Sequence, residues 1–561
     1  LTYLPLSHRL APLPLLIMRA TSSLRTAVVR SLRTSGLTRS ACATAASRLS
    51  AAVPLAAIPQ HTTRTFTNTK ITQQAAKCPD NYNDPKYKKY AKVPEGKKIV
   101  ILGFGAIGTG CIPLLFRHID MKPGQLIVVS DQFSQKARDH AASYGVECHV
   151  AKLTKNDFRP ALEKFVAKGD FLVNLSVDVS SCALIEYCQE VDALYMDTCN
   201  EPWAGGYSDP NVSAAERTNY AFREEALEFR KKFKKDGPTA LITHGANPGL
   251  VSHFVKQGLL NIAKDTNTPH SVPKTREEWV DLAQKLDIKT IHISERDTQA
   301  SARVIKHDQE FVNTWSIEGY VEEGKQPAEL GWGTHEKHWP HDGMKHDNGC
   351  RAAIYLNRPG ALTNVRTWTP ASGSFHGMLI THTEAISIAD YFTKKDGDKI
   401  VYRPTVHFAY HACDNAWMSM HQVAGREWIR HPEERLMVDE IDAGRDELGV
   451  LLMGHKKGAY WYGSDLTIEK TRELVHFNNA TSLQVCTGVL TGVVHCYENP
   501  RQGVVEPEEI EHARIMEIGA NYLGNLHGQY TEWTPLVRRN LLFPEKIDEQ
   551  DPWQFQNFRV Q

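Results

Sequence analysis

From Lys98 onward the chain alternates short, almost wholly apolar runs with amphipathic stretches. The runs are KIVIL (98–102), LIVVSD (126–131), VECHVAKL (146–153), DFLVNLSVD (170–178), ALYMDT (193–198) and TALITHG (239–245). Amphipathic segments at 159–167, 183–191 and 214–235 lie between them and predict helices. Near-continuous apolar strands alternating with helices predict a parallel sheet covered on both faces, because such strands have no polar side to give to water. About six strands fit before residue 245, a full doubly wound α/β unit.

After residue 250 the rhythm changes. A helix is predicted over 275–286 and a strand over 288–295. Short aromatic segments with Gly and Pro punctuation follow: VNTWSIEGY (312–320), ELGWGTHEKHWP (329–340) and VYRPTVHFAYH (401–411). They predict a second, α+β domain on a mixed or antiparallel sheet. Residues 480–500 predict a long apolar helix. The expected division is 1–93 (a targeting extension and linker without fixed structure), 94–249 (dinucleotide-binding), 250–478 (substrate-binding) and 479–561 (a C-terminal segment).

Charge sharpens the picture at the N-terminus. The chain has 65 basic and 65 acidic residues, but residues 1–79 contain ten basic residues and no acidic one. That leaves 55 basic against 65 acidic from Asp80 onward, a net of −10. From Met18, the expected start, Leu24, Val28, Val29 and Leu32 share one helical face and Arg25, Arg30 and Arg33 lie mainly elsewhere. This is the pattern of a mitochondrial or other organellar transit helix. Eleven cysteines without a CxxC pair predict reduced thiols in an intracellular enzyme. No apolar stretch reaches the ~18–20 residues of a membrane span.

Gly103, Gly105 and Gly108 form GxGxxG, with Ala106 and Ile107 between them. The motif follows a strand, opens a helix, and precedes an acidic residue, Asp131, at the next strand end, which is the setting the dinucleotide fingerprint requires. The pyrophosphate would sit on the helix N-terminus. Asp131 would accept from both ribose hydroxyls and repel a 2′-phosphate, so NAD is expected over NADP. Ser176 and Asp178 complete the expected cofactor set, and Pro113 is expected to kink the first helix.

Ligands of doubly wound sheets bind beyond the carboxyl ends of the strands. There the sequence places Asp178, Glu201 and Asn247, and the second domain adds Glu295, Trp315, Glu323 and His382. Carboxylates and aromatics dominate, which suits a cationic substrate with an apolar stem. Some of these residues have plainer readings. Asp178 stands where a helix cap belongs, Glu295 could pair with Arg296 or Arg303, His382 could be a satisfied core histidine, and Arg296 with Asp297 reads as a structural pair. A histidine cluster, His335, His338, His341 and His346, has metal-like spacing, but Pro340 breaks any helix there, and no metal is expected.

The motifs GFGAIG, NLSVD, EPW, GANPGLVSHFVKQ, ERDTQ, NTWSIEGY, PAELGWGT, THTEAISIAD, RPTVHFAYH, DELGVLL, AYWYGS and DPWQF resemble, in order, those of the bacterial-type homospermidine synthases. The resemblance runs from about residue 94 to the C-terminus. That family lies within the saccharopine dehydrogenase-like group, and ATSLQV…GVVEPEEI resembles the group's C-terminal helix and strand that return to the dinucleotide domain. The resemblance implies a redox-neutral aminobutyl transfer. NAD takes a hydride from putrescine, a second diamine displaces ammonia through imine intermediates, and the hydride returns, giving homospermidine. Spermidine can replace one putrescine. It also implies roles: Asn247 and Glu201 at the reacting end, Glu323 and Glu295 at the distal ammonium, Asp178 at the amine site, Trp315 as a cation–π surface, and His382 as a proton carrier. It further implies a homodimer. Two alternatives stay open: a net saccharopine- or carboxynorspermidine-type dehydrogenase, whose carboxylate substrates call for Arg or Lys near the nicotinamide, and a non-catalytic NAD-binding scaffold.

Overall fold

The computed structural model describes residues 80–560. The Arg-rich leader and its start at Met18 lie outside the described residues. The six apolar runs form strands β1 (Ile99–Leu102), β2 (Leu126–Ser130), β3 (Glu147–Val150), β4 (Phe171–Asn174), β5 (Leu194–Asp197) and β6 (Ala240–Leu241). Helices α1 (Ala106–His118), α2 (Gln135–Ser143), α3 (Ser181–Val191) and α4 (Asn219–Lys232) fall between them. Alternate residues serve opposite faces. Ile99, Ile101, Val128 and Val173 enter one apolar cluster, and Val100, Leu102, Val129 and Leu172 the other. Two buried faces explain why the runs carry no polar alternation.

Three local expectations shift. The predicted helix 214–235 divides into a 3₁₀ turn, Ala214–Arg217, and α4, because Thr218 caps α4 by accepting from the Ala221 N–H. The predicted helix 159–167 shortens to Phe158–Leu162, beyond which the chain closes a tight turn from Phe165 N–H to the Leu162 carbonyl. The strand expected over 239–245 leaves the ladder after Leu241, and the Asp197 carboxylate takes the Thr243 N–H at 2.6 Å. Pro113 does not interrupt α1. The Thr109 carbonyl, deprived of its usual partner by Pro113, is met by His140 Nε2 at 3.2 Å.

Beyond α5 (Leu250–Asp265) come β7 (Thr290–Asp297), α6 (Ile317–Lys325), β8 (Pro327–Gly331), β9 (Gly343–Lys345), β10 (Ala353–Pro359), β11 (Asn364–Thr369), β12 (Gly373–Met378), α7 (Thr383–Tyr391), β13 (Thr405–His411), β14 (Arg445–Met453) and β15 (Ala459–Thr467). Helix α8 (Ala480–Glu498) follows, then β16 (Val504–Val505) and β17 (Asn525–Thr531). Ten of these strands build a mixed sheet in the order β9-β10-β8-β13-β7-β14-β15-β17, with β12 joining β13 and β11 joining β12. Only β7 and β13 pair in parallel.

The C-terminal segment returns to the first sheet as the resemblance implied. β16 pairs in parallel with β6 and extends that sheet to seven strands, β16-β6-β5-β4-β1-β2-β3. Helix α8 lies against it, with Gly488 so close that a side chain would strike the Gly245 backbone. One apolar cluster runs from Ile99 and Phe116 through Phe254 and Leu483 to Ile293 and Tyr410, so the core does not break near residues 249 or 478.

Residues 80–93, expected as part of an unstructured linker, are fixed to the body. Arg117 holds Asp80 with two hydrogen bonds (2.7 and 3.1 Å), Tyr82 stacks on Tyr144, and Ala91–Lys92 pairs with Ile119–Asp120. A polar stretch gains this order because α1 ends in a buried arginine that needs an anion. Among the described residues no helix is long and apolar enough to cross a membrane.

Candidate active site

The fingerprint loop lies at the carboxyl end of β1, an interior strand of the first sheet. Gly103 has φ +90°, and a Cβ there would lie 2.5 Å from the Leu175 carbonyl, so only glycine fits. A Cβ on Gly105 would meet nothing within 4 Å, and α1 begins there without a capping side chain or an acidic residue in its first turn. The N–H groups of Ala106, Ile107 and Gly108 are thus the uncapped start of a 13-residue helix facing open space, which fits a pyrophosphate. Asp131 is exposed at the end of β2. Ser176, just past β4, turns its N–H and hydroxyl onto Asn174 Oδ1 (3.2 and 2.6 Å), and Asp178 is exposed beside it with φ +63°.

Asp178 is not the helix cap. Ser180 caps α3 by accepting from the Ala183 N–H. Asp178 instead gives its backbone N–H to Glu201 Oε2 at 3.4 Å. Partial burial, with Glu318 and Glu322 nearby, raises its carboxyl above the usual range.

Where the Asp178 N–H meets Glu201, a narrow cleft of about 30 Å³ is lined by Glu201, Glu322, Glu323, His382, Cys199 and Tyr207, with Asn219, Pro248, Gly319, Gln326 and Thr383 completing its wall. None of the lining residues is Lys or Arg. Burial pushes Glu201 up to about 7, opposed by the Cys199 thiol and the Asp178 N–H. Glu323 is likewise raised by burial. His382 stands between Glu323 (3.3 Å) and Glu384 (3.1 Å). Burial alone would lower its pKa, but the two carboxylates win and hold it well above the usual histidine range. His382 is thus an imidazolium near neutral pH, where the sequence suggested a group titrating there.

Asn247, Glu295 and Trp315, the remaining expected residues, are not among those that line this cleft. Asn247 Nδ2 donates to Glu295 Oε2 at 2.7 Å, and Pro248 reaches the cleft wall. Glu295 therefore pairs with Asn247 rather than with Arg296 or Arg303, and it does not join Glu323 in one group. Its pKa is raised well above normal by burial and by Asp446. Arg296 and Asp297 do not form the expected side-chain pair, because successive strand residues point to opposite faces. Arg296 reaches Asp414 (2.9 Å), while Asp297 accepts from Thr314 and Gln299. Trp315 precedes α6 and donates its indole N–H to the Tyr410 hydroxyl at 3.0 Å. Ring contacts continue from Trp315 through Tyr320, Tyr410 and Phe408 to His382, forming one aromatic wall.

Sequence reasoning missed Cys199, Tyr207, Asn219, Glu322 and Gln326. The helical period was the available signal for two of them: along α6 and the Gln326 that caps its end, residues 319, 322, 323 and 326 share a face. Glu322 and Gln326 follow once Glu323 is placed. The others come from loops, where no periodicity operates. The four histidines of 335–346 have separate partners. His335 meets the Trp553 carbonyl, His338 meets Asp548, His346 stacks on Tyr220, and His341 is exposed.

A parallel doubly wound sheet with a dinucleotide loop, a second mixed sheet and a returning helix and strand define a saccharopine dehydrogenase-like protein. Family models described as the saccharopine dehydrogenase NADP binding domain and the saccharopine dehydrogenase C-terminal domain match residues 99–241 and 245–531. Homospermidine synthases of Blastochloris viridis and Mesorhizobium japonicum are 48% and 45% identical, each over 82% of this chain and over 97% and 96% of their own lengths. The crystal structure of the homospermidine synthase of Legionella pneumophila in complex with NAD superposes with a TM-score of 0.77 at 46% identity, covering 83% of this chain and 98% of that one. The chain belongs to the homospermidine synthase family.

Proposed function

We propose that this protein is an NAD-dependent homospermidine synthase that transfers an aminobutyl group between diamines and regenerates its cofactor each turnover. The observation that carries this reading is the cleft around Glu201, which holds three carboxylates and an imidazolium but no Lys or Arg. Such a cleft attracts ammonium ends and rejects the carboxylate substrates of a saccharopine-type dehydrogenase.

Gly103, Gly105, Ala106, Ile107 and Gly108 would hold the pyrophosphate, and Asp131 the adenosine ribose, with Ser176 and Asp178 along the cofactor's edge. NAD, when bound, supplies the acceptor and later the donor of one hydride. Glu201 and Asn247 position the reacting amine. Glu201, with its pKa near 7, takes a proton from the amine before hydride departure. Glu323 holds the distal ammonium, and Glu295 acts through Asn247 rather than beside Glu323. Trp315 offers its ring face to cationic intermediates, and His382 returns a proton to the departing ammonia. Putrescine plus putrescine gives homospermidine and ammonia; with spermidine as donor, diaminopropane leaves instead.

The test is product analysis with NAD and putrescine. Homospermidine and ammonia without net NADH are expected. Stoichiometric NADH would instead identify a dehydrogenase, and no turnover a binding scaffold. In the same reading 94–249 binds the dinucleotide, 250–478 the amines, and 479–561 closes the first sheet. The enzyme is a homodimer, supported by the exposed Leu541, Leu542 and Phe543 on one loop; light scattering tests it. The Arg-rich leader directs it to an organelle, and an import assay tests that.

A further inference from the structure

Glu201 is held in a small framework that has no counterpart elsewhere in the cleft. The Ser181 N–H at the start of α3 donates to the Glu201 carbonyl (2.8 Å), and the Glu201 N–H donates to Ser181 Oγ (3.0 Å). Ser181 Oγ in turn donates to the Cys199 carbonyl at 3.2 Å. One serine thus staples both residues 199 and 201 to a helix end. The side chains then meet: Cys199 Sγ lies 2.9 Å from Glu201 Oε1, while the Asp178 N–H occupies Oε2. Both Cys199 and Glu201 face the cleft.

We infer that Cys199 is a positioning residue, whose thiol fixes the Glu201 carboxylate toward the substrate amine and holds it in the ionised form. The geometry gives each carboxylate oxygen one donor and leaves the remaining lone pairs for an ammonium. The thiol is suited to this task. Burial, with Glu201 next to it, raises its pKa well above normal, so it keeps the proton that it donates to Glu201. Unlike a lysine or arginine, a thiol donor adds no positive charge to repel an amine.

The other titratable groups facing Glu201 are Tyr207 on its own loop, Asp178, Glu323 on α6 and His382 before α7, with Asp197 behind Cys199. Burial and the Asp178 carboxylate raise the Glu201 pKa. Cys199 works against both, ahead of the Asp178 N–H and the Tyr207 hydroxyl. Removing its donor therefore moves the Glu201 pKa upward. If ionised Glu201 binds and deprotonates the amine, kcat/KM climbs as pH rises through about 7, and that limb shifts to higher pH when the thiol is lost.

The inference rests on the proposed synthase reading, and the experiment separates the two. The full-length enzyme is assayed for homospermidine from pH 5.5 to 9 as wild type, Cys199→Ala and Cys199→Ser, with NAD affinity measured in parallel. Failure of the wild type to make homospermidine defeats the reading itself. With an active wild type, the acid limb of Cys199→Ala should move up by about half to one pH unit, a loss of about three- to tenfold in kcat/KM on that limb, one unit being tenfold. Cys199→Ser, which still donates, should keep a limb close to wild type, and NAD affinity should be unchanged in both. Should Cys199→Ala fail to bind NAD, Cys199→Val, which fills the site without an S–H donor, takes its place. An acid limb that stays put on loss of the donor, by either route, overturns the inference. So does an equal loss in the alanine and serine forms, which would assign the cysteine to packing alone.

Discussion

The indole of Trp315 has one polar atom, and it is committed: its N–H donates to Tyr410, whose own ring lies stacked on Phe408. The ring orientation of Trp315 is therefore set by a residue almost a hundred positions away. Tyr410→Phe keeps the packing and deletes the acceptor, worth about 0.5–1.5 kcal/mol. We expect kcat to fall about 2- to 10-fold with NAD affinity unchanged, read by turnover and by NAD titration. At the other end of the site, Asp131 is exposed where a 2′-phosphate would lie. Asp131→Ala should narrow the preference for NAD over NADP, and an unchanged ratio of their binding constants would remove the role given to Asp131. The fingerprint glycines and Asp131 were legible because their chemistry is local: strand, turn and helix start lie within a few residues. The Asn247–Glu295 pairing was not, because it depends on β7 of the second sheet meeting the loop after β6.

At the scale of elements, the join between the two sheets is made by side chains that no periodicity marks. Arg223 on α4 is buried, holds both oxygens of Glu506 (2.6 and 2.9 Å) and reaches Asp390 on α7 at 2.9 Å. The first sheet, the helix carrying the cleft's edge and the returning segment share this one guanidinium. Arg223→Met would leave buried carboxylates without it, at a cost of about 3–5 kcal/mol. A clear fall in the thermal midpoint is expected, and a midpoint within a degree of wild type would show that the node is dispensable. The strands of the first sheet were readable as apolar runs because both faces are buried. The second sheet was readable only as a class, since its order of strands is set by pairing between segments far apart in sequence. Helix 214–235 was misread as continuous because a cap at Thr218 outweighs favourable spacing on either side.

For the whole molecule, charge is the property that bears on function. The body from Asp80 carries a net −10, and its substrates are small polycations. Raising salt shortens the screening length from about 10 Å at 0.1 M to about 3 Å at 1 M. The kcat/KM for putrescine should therefore drop several-fold over that range, while NAD affinity changes less. Equal salt sensitivity of both would show that the acidic body does not guide the amine.

The sequence by itself determined the doubly wound unit, the glycine-rich loop at the start of α1, the existence of a second mixed-sheet part and the acidic character of the chain from Asp80 onward. All of these rest on spacing within a strand–turn–helix unit or on composition, which survive without coordinates. Only the tertiary structure decided which acids meet. Glu201, Glu323 and His382 gather in one cleft, Asn247 turns to Glu295, and Cys199 faces Glu201. It also decided that His382 is held charged. The reason is physical: a side chain's partner and its pKa depend on burial and on groups brought from distant segments, and neither is a property of local sequence.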